Sequence, residues 1–131
     1  PKTHSENFFE TKDIIINGQG NEKLDFTYIE DFISGIEKCC ENKNSINQTF
    51  NITFGKSRMI SELIDILKNN FKKINIINKS KENFMPERGT LNIEKAKKLI
   101  GYTPKFSIEI GYQRYIEWYK NFFDQRNLKI D

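Results

Sequence analysis

A chain of 131 residues holds one domain with a single modest core, and 37% hydrophobic and 13% aromatic residues are enough to build it. The charged fraction of 30% and a mean hydropathy of -0.67 make its surface very polar. The net charge of +3, from 21 basic and 18 acidic residues, is too small an excess to hold a polyanion at physiological salt by itself. No apolar run approaches the roughly 20 residues of a membrane-spanning helix. The opening PKTHSENFFE has no apolar core of a secretory signal. It also lacks an initiator Met, so the expectation is a single domain over residues 1–131, cut from something longer and located in the cytoplasm.

In chain order, Asp13 to Asn17 reads DIIIN and is closed by Gly18-Gln19-Gly20, which predicts a short buried strand ending in a turn. Leu24 to Ile29 alternates, with Leu24, Phe26 and Tyr28 on one face and Asp25, Thr27 and Ile29 on the other, so it reads as a second strand. Asp31 has the position and chemistry of an N-cap for a helix in which Phe32, Ile33, Ile36, Cys39 and Cys40 recur at helical spacing and predict a buried face. Past the polar loop 41–48, TFNITFG from Thr49 to Gly55 has strand composition. Ile60, Leu63, Ile64, Leu67 and Phe71 then form an amphipathic helical stripe, and Ile74 to Ile77 a short strand. Strand, helix, strand, helix, strand is the order of βαβ units with parallel pairing.

The last third is helical. Asn92 can cap a helix carrying Ile93, Ala96, Leu99 and Ile100, with Gly101 placed for a left-handed C-cap. Ser107 can cap another, in which Tyr112, Tyr115, Ile116, Tyr119, Phe122 and Phe123 line one side as core.

Several chemistries are excluded. The two cysteines, Cys39 and Cys40, are adjacent and suit neither a disulfide with each other nor a metal clasp. His4 is the only histidine, so neither a zinc site nor a Ser/His/Asp set can be assembled. There is no G-x-x-x-x-G-K-[ST] loop and no G-x-G-x-x-G turn. What remains suits binding. Arg88 stands between Pro86-Glu87 and Gly89, on a constrained, open piece of backbone that can present a guanidinium to a dianion or diphosphate. Gly18 and Gly20 either let the backbone approach a ligand or end a strand.

Three stretches carry a resemblance. GQGNEKLDFTYIEDFISGI, Gly18 to Ile36, is similar to a segment of the extended short-chain dehydrogenases/reductases, the NAD-dependent nucleotide-sugar epimerases and dehydratases, that reads G-x-G, Arg-Asp-Phe, Tyr-Val-x-Asp and then a helix. FNITFGKSRMISELIDIL, Phe50 to Leu67, resembles their next unit, an aromatic-Asn-x-Gly strand end followed by a helix with a Glu-Leu pair, here Glu62 and Leu63. PERGTLNIEKAKKLIGYTPKFSIEIGYQRYIEWY, Pro86 to Tyr119, resembles their C-terminal signature: an arginine-glycine turn, a Lys-Ala-x-x-x-Leu-Gly-Tyr-x-Pro helix and cap, and a last helix ending Glu-Trp-Tyr. The likeness runs from about Phe8 to Phe123.

The resemblance implies an α/β fold: the C-terminal portion of a Rossmann-type epimerase/dehydratase, with two or three parallel strands and a small, mostly helical substrate-binding subdomain. Strands at Phe26 and Phe50 would extend a parallel sheet whose larger part lies elsewhere. It implies that Arg88 holds the substrate diphosphate, that Gly20 lies next to the bound nucleotide, and that Lys23 reaches in where the family's arginine is replaced by Leu24. NAD would be bound by the N-terminal part, and no tyrosine of this chain is followed by lysine at the fourth position, as the family's catalytic Tyr-x-x-x-Lys requires. The partners implied are a nucleotide sugar, the N-terminal Rossmann part and a second subunit, with no membrane or nucleic acid. The alternative is a stand-alone α/β binding module, a degenerate relative or a weak RNA binder, although basic residues do not cluster with aromatics as a stacking platform requires.

Overall fold

The computed structural model describes residues 13–71, 74–80 and 88–125. The chain divides into two compact units, each built from separate stretches. The first contains residues 13–22, 59–71, 74–80 and 112–125, and the second residues 23–58 and 88–111.

In the first unit, period-two burial of Ile14 and Ile16 around the exposed Ile15 makes β1, Ile14–Asn17. It pairs in parallel with β4, Ile76–Lys79, Ile14 opposite Ile76 and Asn17 opposite Lys79. The Ile14 amide donates to the Asn75 carbonyl (3.0 Å) and the Gly18 amide to the Lys79 carbonyl (2.8 Å). The strand expected at 74–77 thus lies two residues later, because its limits are set by where β1 offers a ladder partner.

The stripe predicted in the middle of the chain is α2, Ile60–Asn70, with Leu63, Ile64 and Leu67 buried. The last helix, α4, Ile108–Gln125, buries Tyr112, Ile116 and Tyr119 at i, i+4 and i+7. Asn70 Nδ2 donates to Gln113 Oε1 at 2.8 Å, and the Lys120 ammonium lies 4.6 Å from the centre of the Phe71 ring. The end of α2 is thereby held on α4.

The second unit contains β2 (Lys23–Leu24), α1 (Ile29–Glu41), β3 up to Arg58 (Arg58–Met59), α3 (Glu94–Ile100) and the first turn of α4. Its core is Ala96, Ile100 and Tyr102, with Cys39, Phe50, Ile52, Ile93 and Leu99 against it. Gly101 closes α3 in the left-handed conformation at φ +67, as predicted, whereas the capping position at its start is held by Ile93 and not by Asn92, whose Oδ1 accepts from the Glu94 amide (2.8 Å) from one residue further out.

Four further expectations are corrected. The alternating stretch 24–29 is a strand only at Lys23–Leu24; Tyr28 is extended without a ladder, its ring tilted against that of Phe106 with centroids 5.0 Å apart, and Ile29 already belongs to α1. Residues 49–55 form no strand, because side chains take their backbone groups: the Gly55 amide donates to Asp25 Oδ1 and the Thr53 carbonyl accepts from the Tyr102 hydroxyl. The parallel pairing described is that of β1 with β4. Asp31 is not an N-cap. It lies in the first turn of α1, where Tyr28 is the capping residue, and its buried carboxylate accepts from the amides of Lys105 (2.8 Å) and Phe106 (2.9 Å). Finally, Phe32, Ile33 and Ile36 are exposed, and α1 buries Asp31 and Gly35 instead.

Candidate functional site

Gly20 ends the turn that follows β1. It is buried, its φ of +76 is one that L side chains rarely adopt, and a Cβ there would stand 3.4 Å from the Ser61 nitrogen. Its carbonyl accepts from the Ser61 amide (2.9 Å), and the Glu22 carbonyl accepts from the Ile60 amide (3.1 Å). The first amides of α2, which a helix leaves unsatisfied, are thus taken by this turn. That arrangement tests the fit to the family's NAD: a dinucleotide turn presents open helix amides to the pyrophosphate, and these are occupied. The residues around Gly18 and Gly20 do not fit that role.

Lys23 and Arg88 belong to the second unit, and both are exposed. Lys23 opens β2, with the half-buried Leu24 beside it. Arg88 is followed by Gly89, whose Cβ position is in open space. No described residue pairs with the Arg88 guanidinium. The stretch after it is tied down at once. Thr90 Oγ1 accepts from the Ser57 amide (3.0 Å) and donates to Ser57 Oγ (2.7 Å), and the Leu91 amide donates to Asp25 Oδ2 (3.2 Å).

Asp25 is the residue that inspection of the sequence missed. Its carboxylate accepts from Thr53 Oγ1 (3.0 Å), the Gly55 amide (3.1 Å) and the Leu91 amide, which joins three stretches of the second unit. It stands two residues after Lys23 and receives a bond from the third residue after Arg88, so it anchors the stretches that carry both cations. The available signal was its place in the Asp-Phe pair of the first resembling segment; alternation alone marks it only as a polar strand residue. Gly20 is in the other unit.

Elsewhere in the second unit, Arg58 pairs with Glu109 at 2.5 Å. A hydrogen bond from the Ser107 side chain holds the Glu109 carboxyl below its usual range, helped by its own backbone amide and by Arg58. Burial pushes the Tyr102 hydroxyl up to about 12, with smaller contributions from Asp31 and Asp25. Among the described residues no group of His, Cys, Asp and Glu side chains could hold a metal ion, and no helix is long and apolar enough to cross a membrane. The second unit thus presents two exposed cations, Lys23 and Arg88, on stretches tied to Asp25.

No family model matches the sequence. It is, however, 35% identical over 109 residues to a putative UDP-glucose 4-epimerase of Methanocaldococcus jannaschii, which covers 82% of this chain and 34% of that protein. It is 32% identical over 119 residues to a UDP-glucuronate 4-epimerase of Thermodesulfobacterium geofontis, covering 86% and 35%. Among solved structures, UDP-glucuronic acid 4-epimerase from Bacillus cereus, in complex with UDP-glucuronic acid and NAD, superimposes with a TM-score of 0.81 at 26% identity over 91% of this chain and 38% of that one. The chain spans about a third of the length of these curated relatives. Identity at this level along most of the chain, together with the shared architecture, means that the chain belongs to the NAD-dependent nucleotide-sugar epimerase/dehydratase family.

Proposed function

We propose that residues 1–131 are the C-terminal, nucleotide-sugar-binding part of a cytoplasmic NAD-dependent epimerase or dehydratase, in which NAD and the catalytic Tyr-x-x-x-Lys belong to the remainder of a homodimeric enzyme. The observation that carries this reading is an exposed Arg88, facing no described partner, on a stretch fastened within three residues to Ser57 and Asp25. A guanidinium presented from an anchored strap binds a diphosphate with little loss of chain freedom. Lys23, on the stretch anchored by the same carboxylate, supplies the second positive charge in place of the family's arginine. The diphosphate charge does not change as the sugar reacts, so these groups hold ground state and transition state alike and position the sugar; they lower KM and leave the chemical step to other residues. No step through NAD is assigned to this chain.

The test is an NMR titration of the 131-residue chain with UDP-, dTDP-, GDP- and CDP-sugars. Amide shifts at Lys23 and Gly89 with one nucleotide are expected, and Arg88→Ala should weaken Kd by about 10- to 100-fold, the value of a charge-assisted hydrogen bond. A folded sample that shifts with none of them, or an Arg88→Ala variant that binds as well as the parent, would overturn the reading.

A further inference from the structure

Asp25 is held by neutral donors. Its half-buried carboxylate accepts from Thr53 Oγ1 (3.0 Å), the Gly55 amide (3.1 Å) and the Leu91 amide (3.2 Å), and among the described residues it makes no ion pair with Lys23 or Arg88. A carboxylate brings only acceptors, so it suits a place where three donors converge and a side-chain amide does not. The stretch that follows Arg88 is fastened to residues 51–57 at further points. Asn51 Nδ2 donates to the Asn92 carbonyl (2.9 Å), and Ser57 and Thr90 share two hydrogen bonds. Gly55, at φ +77, leaves room for Ile93, whose Cδ1 would stand 2.8 Å from a Cβ there. Asp25 ties this assembly to the stretch that opens with Lys23.

We infer that Asp25 is a positioning residue for anion binding: it acts through Lys23 and Arg88, holding the stretches that bear them so that both cations meet one diphosphate without first having to be ordered. This rests on the reading that those two residues bind the diphosphate of a nucleotide sugar. Two effects of the carboxylate oppose each other. Its negative charge, two residues from Lys23 and bonded to the third residue after Arg88, works against an anionic ligand. Its three hydrogen bonds remove in advance the freedom that the two stretches would otherwise lose on binding. Both cations are exposed, so water and salt screen the first effect. The ordering of backbone is not screened, and the second effect dominates.

The sign of one substitution separates the two effects. UDP-, dTDP-, GDP- and CDP-glucose are titrated into the 131-residue chain, Asp25→Asn, Arg88→Ala and the double variant, with the amide spectrum of α3 as the check that each is folded. Asp25→Asn is expected to weaken Kd about tenfold although it removes a negative charge. Once Arg88 is already replaced, the same change should cost only about two- to threefold, because the residue it acts through is gone. Unchanged or tighter binding by Asp25→Asn would overturn the inference. Equal weakening in both backgrounds, the mark of a merely structural loss, would overturn it too. Asp25→Glu keeps the charge and moves the carboxylate by one methylene. It should also weaken Kd, and parent-like binding by this variant would overturn the inference even where Asp25→Asn does not fold. If Arg88→Ala weakens binding and Asp25→Asn does not, only this inference fails; if no sugar shifts the parent chain, or Arg88→Ala binds as well as the parent, the proposed function fails and takes the inference with it.

Discussion

Tyr102 has no exposed surface, and its hydroxyl donates to the Thr53 carbonyl at 3.0 Å, with the carboxylates of Asp25 and Asp31 in the same unit. Burial disfavours the phenolate, and the two carboxylates disfavour it further, so the folded chain holds the proton up to about pH 12, against 10.0 for a free tyrosine. The sign follows. Below pH 10 both states keep the proton and the group contributes no pH dependence; between 10 and 12 the unfolded chain releases it first, so stability falls as pH rises. Urea midpoints measured from pH 9 to 12 should show that fall, and Tyr102→Phe should reduce it while costing about 1 kcal/mol at pH 7 for the lost hydrogen bond. Arg88 is the contrasting case, an exposed side chain with no described partner.

At the scale of elements, local signals were sufficient wherever an element is held by its own residues. The stripe of α2 and the Gly101 cap of α3 were readable because their partners lie within one or two turns. Helix α1 was readable as a helix and misread as to its face. Periodicity reports that a helix has an apolar side, without reporting which side its own chain covers. The buried side is fixed by Gly35, which lets α1 approach Ile52 and Tyr102 more closely than any side chain would allow. Gly35→Ala would gain helix propensity, but overpacking should dominate, with a net loss of about 1–3 kcal/mol in urea denaturation. An unchanged or raised midpoint would show that the approach is looser than the 2.3 Å contact indicates.

At the scale of the molecule, each of the two units is assembled from stretches distant in sequence, and side chains do much of the joining. Asp25 is the clearest joint, with partners 28, 30 and 66 residues away. Asp25→Asn keeps the shape but turns a donor toward groups that are themselves donors. It should cost about 1–3 kcal/mol and speed hydrogen exchange at Gly55 and Leu91 while leaving amides of α2 unaffected; equal protection at those two amides would show that other groups hold them.

The sequence by itself determined β1 and its turn, the position and face of α2, the glycine that ends α3 and the likeness to the epimerase/dehydratase family, because each depends on periodicity, a cap or a motif within a short window. Only the tertiary structure decided that 49–55 forms no strand, that Asp31 anchors Lys105 and Phe106, that Asp25 fastens the stretches bearing Lys23 and Arg88, and that the apolar side of α1 is left outward. In each of these the outcome turns on whether a particular partner, in most cases tens of residues away, reaches a given backbone group or packs against it, and strand propensity or amphipathic spacing holds no information about that partner.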